Sequence, residues 1–98
     1  MKTFNERCYA LLKKVTKGKV TTYKEIAKSM KTKAYRAVGN AMNKNPYSPD
    51  VPCHRVVNSD GRVGGFASGT KKKIQILKKE GIVIVNGKID LNKYLHRF

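Results

Sequence analysis

Pro46, Pro49 and Pro52 fall within seven residues of one another, and this triplet limits the fold more than any other feature of the chain. Proline fixes φ near about −65°, removes a backbone donor and pushes the preceding residue out of helical space. A regular helix therefore cannot cross 46–52. The segment that follows, PCHRVV at 52–57, must be delivered by an extended, stiffly held loop.

Ahead of the prolines the pattern is helical. Phe4, Cys8, Leu11, Leu12 and Val15 recur at helical spacing behind a Thr3/Glu6 capping box, which predicts a helix from about Thr3 to Val15 with Gly18 as a stop. Thr22 and Glu25 repeat the signature before Tyr23, Ile26, Ala27 and Met30, a second and shorter helix. After a break at Lys31 to Lys33, AYRAVGNAMNKN sets Ala34, Ala37, Val38, Ala41 and Met42 on one stripe of a third. Two short helices joined by a tight turn form a helix-turn-helix, an arrangement that any small helical bundle also contains.

Beyond the prolines, a turn at Ser59, Asp60 and Gly61 leads into GRVGGFASGT, whose glycines either admit another molecule close to the backbone or simply connect. Lys71 to Glu80 resume helical spacing through Ile74 and Leu77, with Thr70 as N-cap and Gly81 as stop. Asn86-Gly87 between IVIV and KIDL predicts a hairpin over Ile82 to Leu91, with Tyr94, Leu95 and Phe98 packing back. The class is mainly α with a small β-hairpin, one domain over residues 1–98.

Twenty-two Lys and Arg against six Asp and Glu give a net charge of +16, spread along the chain. Such a field attracts polyanions, nucleic acid first, although a ribosome-associated or heat-adapted protein also carries a lysine-rich surface. No stretch approaches the roughly 20 apolar residues of a membrane span, and the first residues lack a secretory core. The expectation is an intracellular protein, cytoplasmic or, in a eukaryote, nuclear, without a membrane partner. Cys8 and Cys53 lie far apart with no CxxC, which suggests neither a disulfide nor a zinc site, and Cys8 belongs to an apolar helix face.

Cys53 is different, because His54 stands beside it. A free thiol has a pKa of about 8.5, so a nucleophilic cysteine needs a proton acceptor or a cation close by. PCHRVV, preceded by TYKEIA and RAVGNAMNKNP and followed by GGF and a helix ending LKKEG, resembles the C-terminal DNA-binding and active-site domain of O6-alkylguanine-DNA alkyltransferases. The likeness runs in order and spacing from about Phe4 to Gly81.

The resemblance implies a winged helix-turn-helix-like alkyltransferase domain. It implies a monomer, without cofactor or metal, that binds double-stranded DNA containing O6-alkylguanine through the minor groove. The damaged base is flipped out and its alkyl group moves irreversibly to Cys53, a single-turnover methylated-DNA–[protein]-cysteine S-methyltransferase reaction. By matching positions, His54 activates Cys53 through a water, Glu80 orients His54, and the Tyr23 hydroxyl contacts guanine and helps to protonate it. Arg36 is the finger that fills the vacated stack, and Ala34, Ala37, Gly39 and Ala41 keep its helix slim for groove entry. Met42, Val56, Phe66, Ala67 and Ser68 line the substrate pocket, and Asn45 is a structural hinge. Taken singly, without PCHRV, Arg36 reads better as a surface charge and Tyr23 as a core aromatic.

Two departures bear on activity. Phe66 stands where the family often has tyrosine, and the family's N-terminal domain is expected to be absent. The GIVIVNGKIDLNKY tail resembles alkyltransferase-like proteins, which replace the cysteine and bind lesions without repairing them. The competing classes are thus a lesion-binding sensor and a transcription regulator reading the major groove. A metal site on Cys53 and His54 would have only His96 left as a further soft ligand besides Cys8, which belongs to an apolar helix face.

Overall fold

A computed structural model of the chain describes residues 3–47, 51–64 and 70–98. The Thr3 hydroxyl accepts the Glu6 N–H and Glu6 Oε1 accepts the Thr3 N–H, both at 3.2 Å, closing the capping box of helix α1 (Phe4–Leu12). A cap of this kind stabilises a helix by about 1 kcal/mol. The helix stops short of Val15 because the chain tightens there. Lys14 and Val15 donate to Leu11 and Leu12, three residues back rather than four, which turns Val15 into the core.

Strand β1 (Thr21–Thr22) runs directly into α2 (Tyr23–Ser29), whose N-cap Thr22 accepts the Glu25 N–H at 3.0 Å. Lys31, with φ at 57°, makes the turn toward α3 (Tyr35–Asn43). Ala34 is the N-cap of α3 and exposed, so the buried stripe is Val38, Ala41 and Met42, with Ala37 half-buried. The predicted stripe was one residue too long at its start, where the Ala34 N–H turns to the Thr32 hydroxyl at 3.2 Å.

PCHRVV is not extended throughout. Cys53–Arg55 form a 3₁₀ turn, and only Val56–Val57, strand β2, are extended, pairing in parallel with β1 in the register Thr21↔Val56 and Thr22↔Val57. The pairing places β2 between two apolar clusters. Val56 joins the α1–α2–α3 core with Leu12, Ile26, Val38 and Met42, while Val57 joins Val20, Val63, Leu77, Ile82 and Ile89 under the C-terminal half. Neighbouring strand residues point to opposite faces, so one dipeptide seals both cores and holds the preceding turn at their junction.

Helix α4 (Thr70–Lys79) includes Thr70 as its first residue, so its capping position lies outside the described residues. It ends in a Schellman arrangement, with Gly81 (φ +92°) donating to Lys78 and Ile82 donating to Leu77. Strands β3 (Ile84–Val85) and β4 (Lys88–Ile89) pair around Asn86 and Gly87, both at positive φ as a tight hairpin requires. Gly61 has to be glycine, since a Cβ there would stand 2.6 Å from the Ile89 carbonyl oxygen. Asp90 caps a short α5 (Leu91–Tyr94) that the periodicity did not predict. The tail returns through Tyr94, which is buried, and through backbone bonds between Val20 and residues 94 and 96. Phe98 does not enter the core; it is 43% exposed and rests edge-on against His96.

Candidate active site and nucleic-acid interface

The proline at 52 shapes the corner on which Cys53 sits. With φ −81° and ψ 71°, Pro52 centres an inverse γ-turn closed by the Cys53 N–H on the Val51 carbonyl at 2.9 Å. Arg55 then donates to the Pro52 carbonyl at 2.9 Å, which starts the 3₁₀ turn. Successive side chains of such a turn leave its axis about 120° apart, so the Cys53 thiol and the His54 ring diverge. Asn45 braces the approach: its Nδ2 donates to the Val51 carbonyl at 2.7 Å and its Oδ1 accepts the Tyr47 N–H at 2.9 Å. The end of α3 is thereby tied to the residue two before the cysteine.

His54 turns inward to Glu80, the residue that caps the C-terminal end of α4. Its Nε2 lies 3.1 Å from Glu80 Oε2. Arg55 grips the same carboxylate at both oxygens, Nε to Oε1 at 3.0 Å and Nη2 to Oε2 at 2.7 Å, and gives its Nη1 to the Val15 carbonyl at 2.8 Å. The side chains of His54, Arg55 and Glu80 are only 7%, 15% and 11% exposed, so solvent screens this cluster weakly. A carboxylate at a helix C-terminus meets an unfavourable dipole, which the guanidinium offsets.

Burial raises the Glu80 carboxyl, but the hydrogen bonds from Arg55 and His54 outweigh it and hold the group below the usual range. For His54 burial dominates. It lowers the imidazole below its ordinary value despite Glu80, and the cations Arg55 and Lys73 add to the effect. A neutral ring that donates Nε2–H to Glu80 presents Nδ1 as its acceptor nitrogen.

Lys73 of α4 is buried, with its Nζ on the Val56 carbonyl at 2.6 Å. Burial brings its ammonium down to about 8, against an opposing attraction to Cys53. Tyr23, at the start of α2, packs with Cys53 against the first core, and its phenol is pushed up by burial and by Cys53. It therefore keeps its proton at neutral pH.

Tyr23 also lines a cavity of about 760 Å³, together with Lys24, Tyr35, Arg36, Gly39, Asn58, Ser59 and Asp60. Arg36 is exposed at its wall. A Cβ built on Gly39 meets nothing within 4 Å, so no packing among the described residues asks for glycine there.

The structure thus brings Cys53, His54 and Glu80 together where the two cores meet and packs Tyr23 beside Cys53 on the first core, whereas Tyr23, Arg36 and Gly39 line the cavity, whose described lining does not include Cys53. Met42 and Val56, expected in the pocket wall, are core residues, turned inward by the face of α3 and by the register of β2. Phe66, Ala67 and Ser68 lie outside the described residues. Sequence reasoning gave no role to Arg55, Lys73, Lys24, Tyr35 or the Asn58–Asp60 turn. Arg55 had a signal, its place inside PCHRVV, whereas Lys73 in a KKK run reads as surface. Among the described residues there is no cluster of His, Cys, Asp or Glu that could hold a metal, and no helix is long and apolar enough to cross a membrane.

Comparison with known proteins bears on the family and the fold. A methylated-DNA–protein-cysteine methyltransferase of Methanosarcina barkeri is 47% identical over 78 residues, covering 79% of this chain and 49% of the relative. The crystal structure of O6-methylguanine-DNA methyltransferase from the hyperthermophilic archaeon Pyrococcus kodakaraensis superposes with a TM-score of 0.75 at 44% identity, covering 84% of this chain and 48% of the other. That of S. pombe Atl1 in complex with damaged DNA containing O6-carboxymethylguanine superposes with a TM-score of 0.87 at 30% identity over 100% of both chains. The chain spans about half, or less, of the length of the curated relatives it matches. The family profile described as 6-O-methylguanine DNA methyltransferase, DNA binding domain, matches residues 3–82, and the chain, with its helical alkyltransferase fold, belongs to that DNA-repair family.

Proposed function

We propose that residues 1–98 act as one DNA-binding and alkyl-acceptor unit that extrudes O6-alkylguanine through the minor groove of double-stranded DNA and takes its alkyl group onto Cys53. The observation that carries this reading is the turn that sets Cys53 next to the buried His54–Glu80 pair and packs it, with Tyr23, against the first core. His54, held neutral, accepts the thiol proton at Nδ1 through a bridging water, because the two side chains diverge. The sulfur then attacks the alkyl carbon, the carbon–O6 bond breaks, and its electron pair leaves with guanine. Tyr23 donates a proton to the departing base and recovers one from solvent. No acyl carbon is attacked, so no oxyanion hole is needed. The product thioether has no easy leaving route, so one molecule repairs one lesion as a monomer, in the compartment that holds the DNA.

Arg36 at the cavity wall fills the stack from which the nucleotide has left, and the +16 charge draws the phosphate backbone. A second reading has its own support in the end-to-end superposition on Atl1 bound to damaged DNA: a lesion-binding protein that transfers nothing. Mass spectrometry after incubation with a duplex containing O6-methylguanine separates the two. Transfer adds one methyl mass to Cys53, one per protein. Tight lesion binding with no added mass selects the sensor, and methyl on Cys8 refutes the site.

A further inference from the structure

His54, Arg55, Glu80 and Val15 come from three separate stretches of chain and meet at one guanidinium. Arg55 occupies both oxygens of Glu80, fixing the carboxylate in one plane, and its third contact, to the Val15 carbonyl, fixes Arg55 itself. A planar fork with three committed contacts cannot rotate without breaking at least one of them, which a point-charge ammonium can. Oε2 accepts from Arg55 at 2.7 Å and from His54 at 3.1 Å, so the imidazole takes its orientation from a carboxylate that Arg55 has already set. The guanidinium also places its positive charge against both oxygens of Glu80. A carboxylate so occupied draws the imidazole proton less strongly than a bare one.

We propose that Arg55 is a positioning residue for alkyl transfer: by clamping Glu80 it fixes the carboxylate that orients His54, with Nε2–H on Glu80 and Nδ1 left as the acceptor. This rests on the alkyl-transfer reading for its consequence, though not for its structural content. Among the described residues, the charged groups facing His54 are Arg55 on its own turn, Lys73 from α4 and Glu80 just past the end of that helix. Lys73 keeps the sign of the effect of Arg55, so removing Arg55 leaves Glu80 opposed from one side only. The direction agrees with the lowered titration of His54, to which Arg55 contributes.

The test uses the whole chain, whose two histidines make the imidazole signals easy to separate by nuclear magnetic resonance. In the unmodified protein the ring nitrogen shifts of His54 should show a protonated Nε2 and a bare Nδ1; the opposite tautomer overturns the proposal without any variant. In Arg55→Met the His54 midpoint should rise by roughly one pH unit. Transfer to Cys53 should fall at least about tenfold at pH 7 and recover in part as the pH is raised. Arg55→Lys, which keeps charge but loses the fork, should leave the midpoint near its native position while slowing transfer at every pH. If both variants melt earlier yet keep the native His54 midpoint and pH–rate profile, Arg55 only supports the fold and the proposal fails. A shifted midpoint in a chain that never transfers alkyl upholds the role of Arg55 in setting His54 and refutes the alkyl-transfer reading instead.

Discussion

His54 Nε2 and Glu80 Oε2 stand 3.1 Å apart although 26 residues separate them, joining the turn that carries Cys53 to the capped end of α4. The Schellman turn at Gly81 aims Glu80 at that point, and β2 pairing with β1 holds His54 in front of it. The pair is therefore a product of two backbone devices as much as of two side chains.

His54→Ala and Glu80→Gln should each slow transfer to Cys53 by about 10²- to 10⁴-fold, the usual worth of general-base assistance. DNA binding should change little. Because burial lowers the titration of His54, the acidic limb of the rate profile should lie below the ordinary imidazole value of 6.5, and rates should fall only as the pH drops through it. Single-turnover kinetics beside a binding isotherm check this; equal loss of both would make the residues structural.

Arg36→Ala and Lys88→Ala should differ in kind. Neutralising an exposed lysine such as Lys88 should weaken binding alike on all sequences and reduce the salt slope by about one unit. Loss of Arg36 should depress repair of a paired methylguanine far more than reaction with the free base, because unstacking costs a few kcal/mol that the free base never meets. Equal depression of both reactions would remove Arg36 from base extrusion.

Gly39→Ala offers a contrast between fold and function. A glycine inside a helix costs about 0.5–1 kcal/mol relative to alanine, and no atom of the described residues opposes a Cβ at this position. The variant should melt higher and bind DNA less well if α3 enters a groove. A stabilised variant with unaltered affinity would place α3 away from the DNA.

Lys73→Met addresses the buried ammonium. In the folded protein Lys73 titrates at about 8 and in the unfolded chain near 10.5, so between these values the unfolded state holds the extra proton. Native stability should accordingly rise with pH across that window, by up to about 3 kcal/mol from this group. Below about 8 both states are protonated and the contribution is flat. Denaturant unfolding of both proteins from pH 7 to 10 gives the difference; identical slopes would show that Lys73 holds its proton throughout.

Local signals set most of the elements. The Thr3/Glu6 and Thr22/Glu25 signatures mark the starts of α1 and α2, Asn86-Gly87 marks the hairpin, and Gly81 marks the end of α4, because each depends on bonds spanning a few residues. The family signature was legible for the same reason: PCHRVV and RAVGNAMNKNP are contiguous. What the sequence could not display is where distant residues meet. The bending of Cys53–Arg55 into a 3₁₀ turn follows from closure of bonds onto Val51 and Pro52 and from the pull of Glu80 on both His54 and Arg55. Met42 and Val56 became core, and Lys73 became a buried donor to Val56, only when β1 paired with β2 and the two clusters closed around the strand. Periodicity records which face of an element is apolar, whereas the partner of a charged side chain is chosen by long-range packing, through free energies that exist only after the chain has folded.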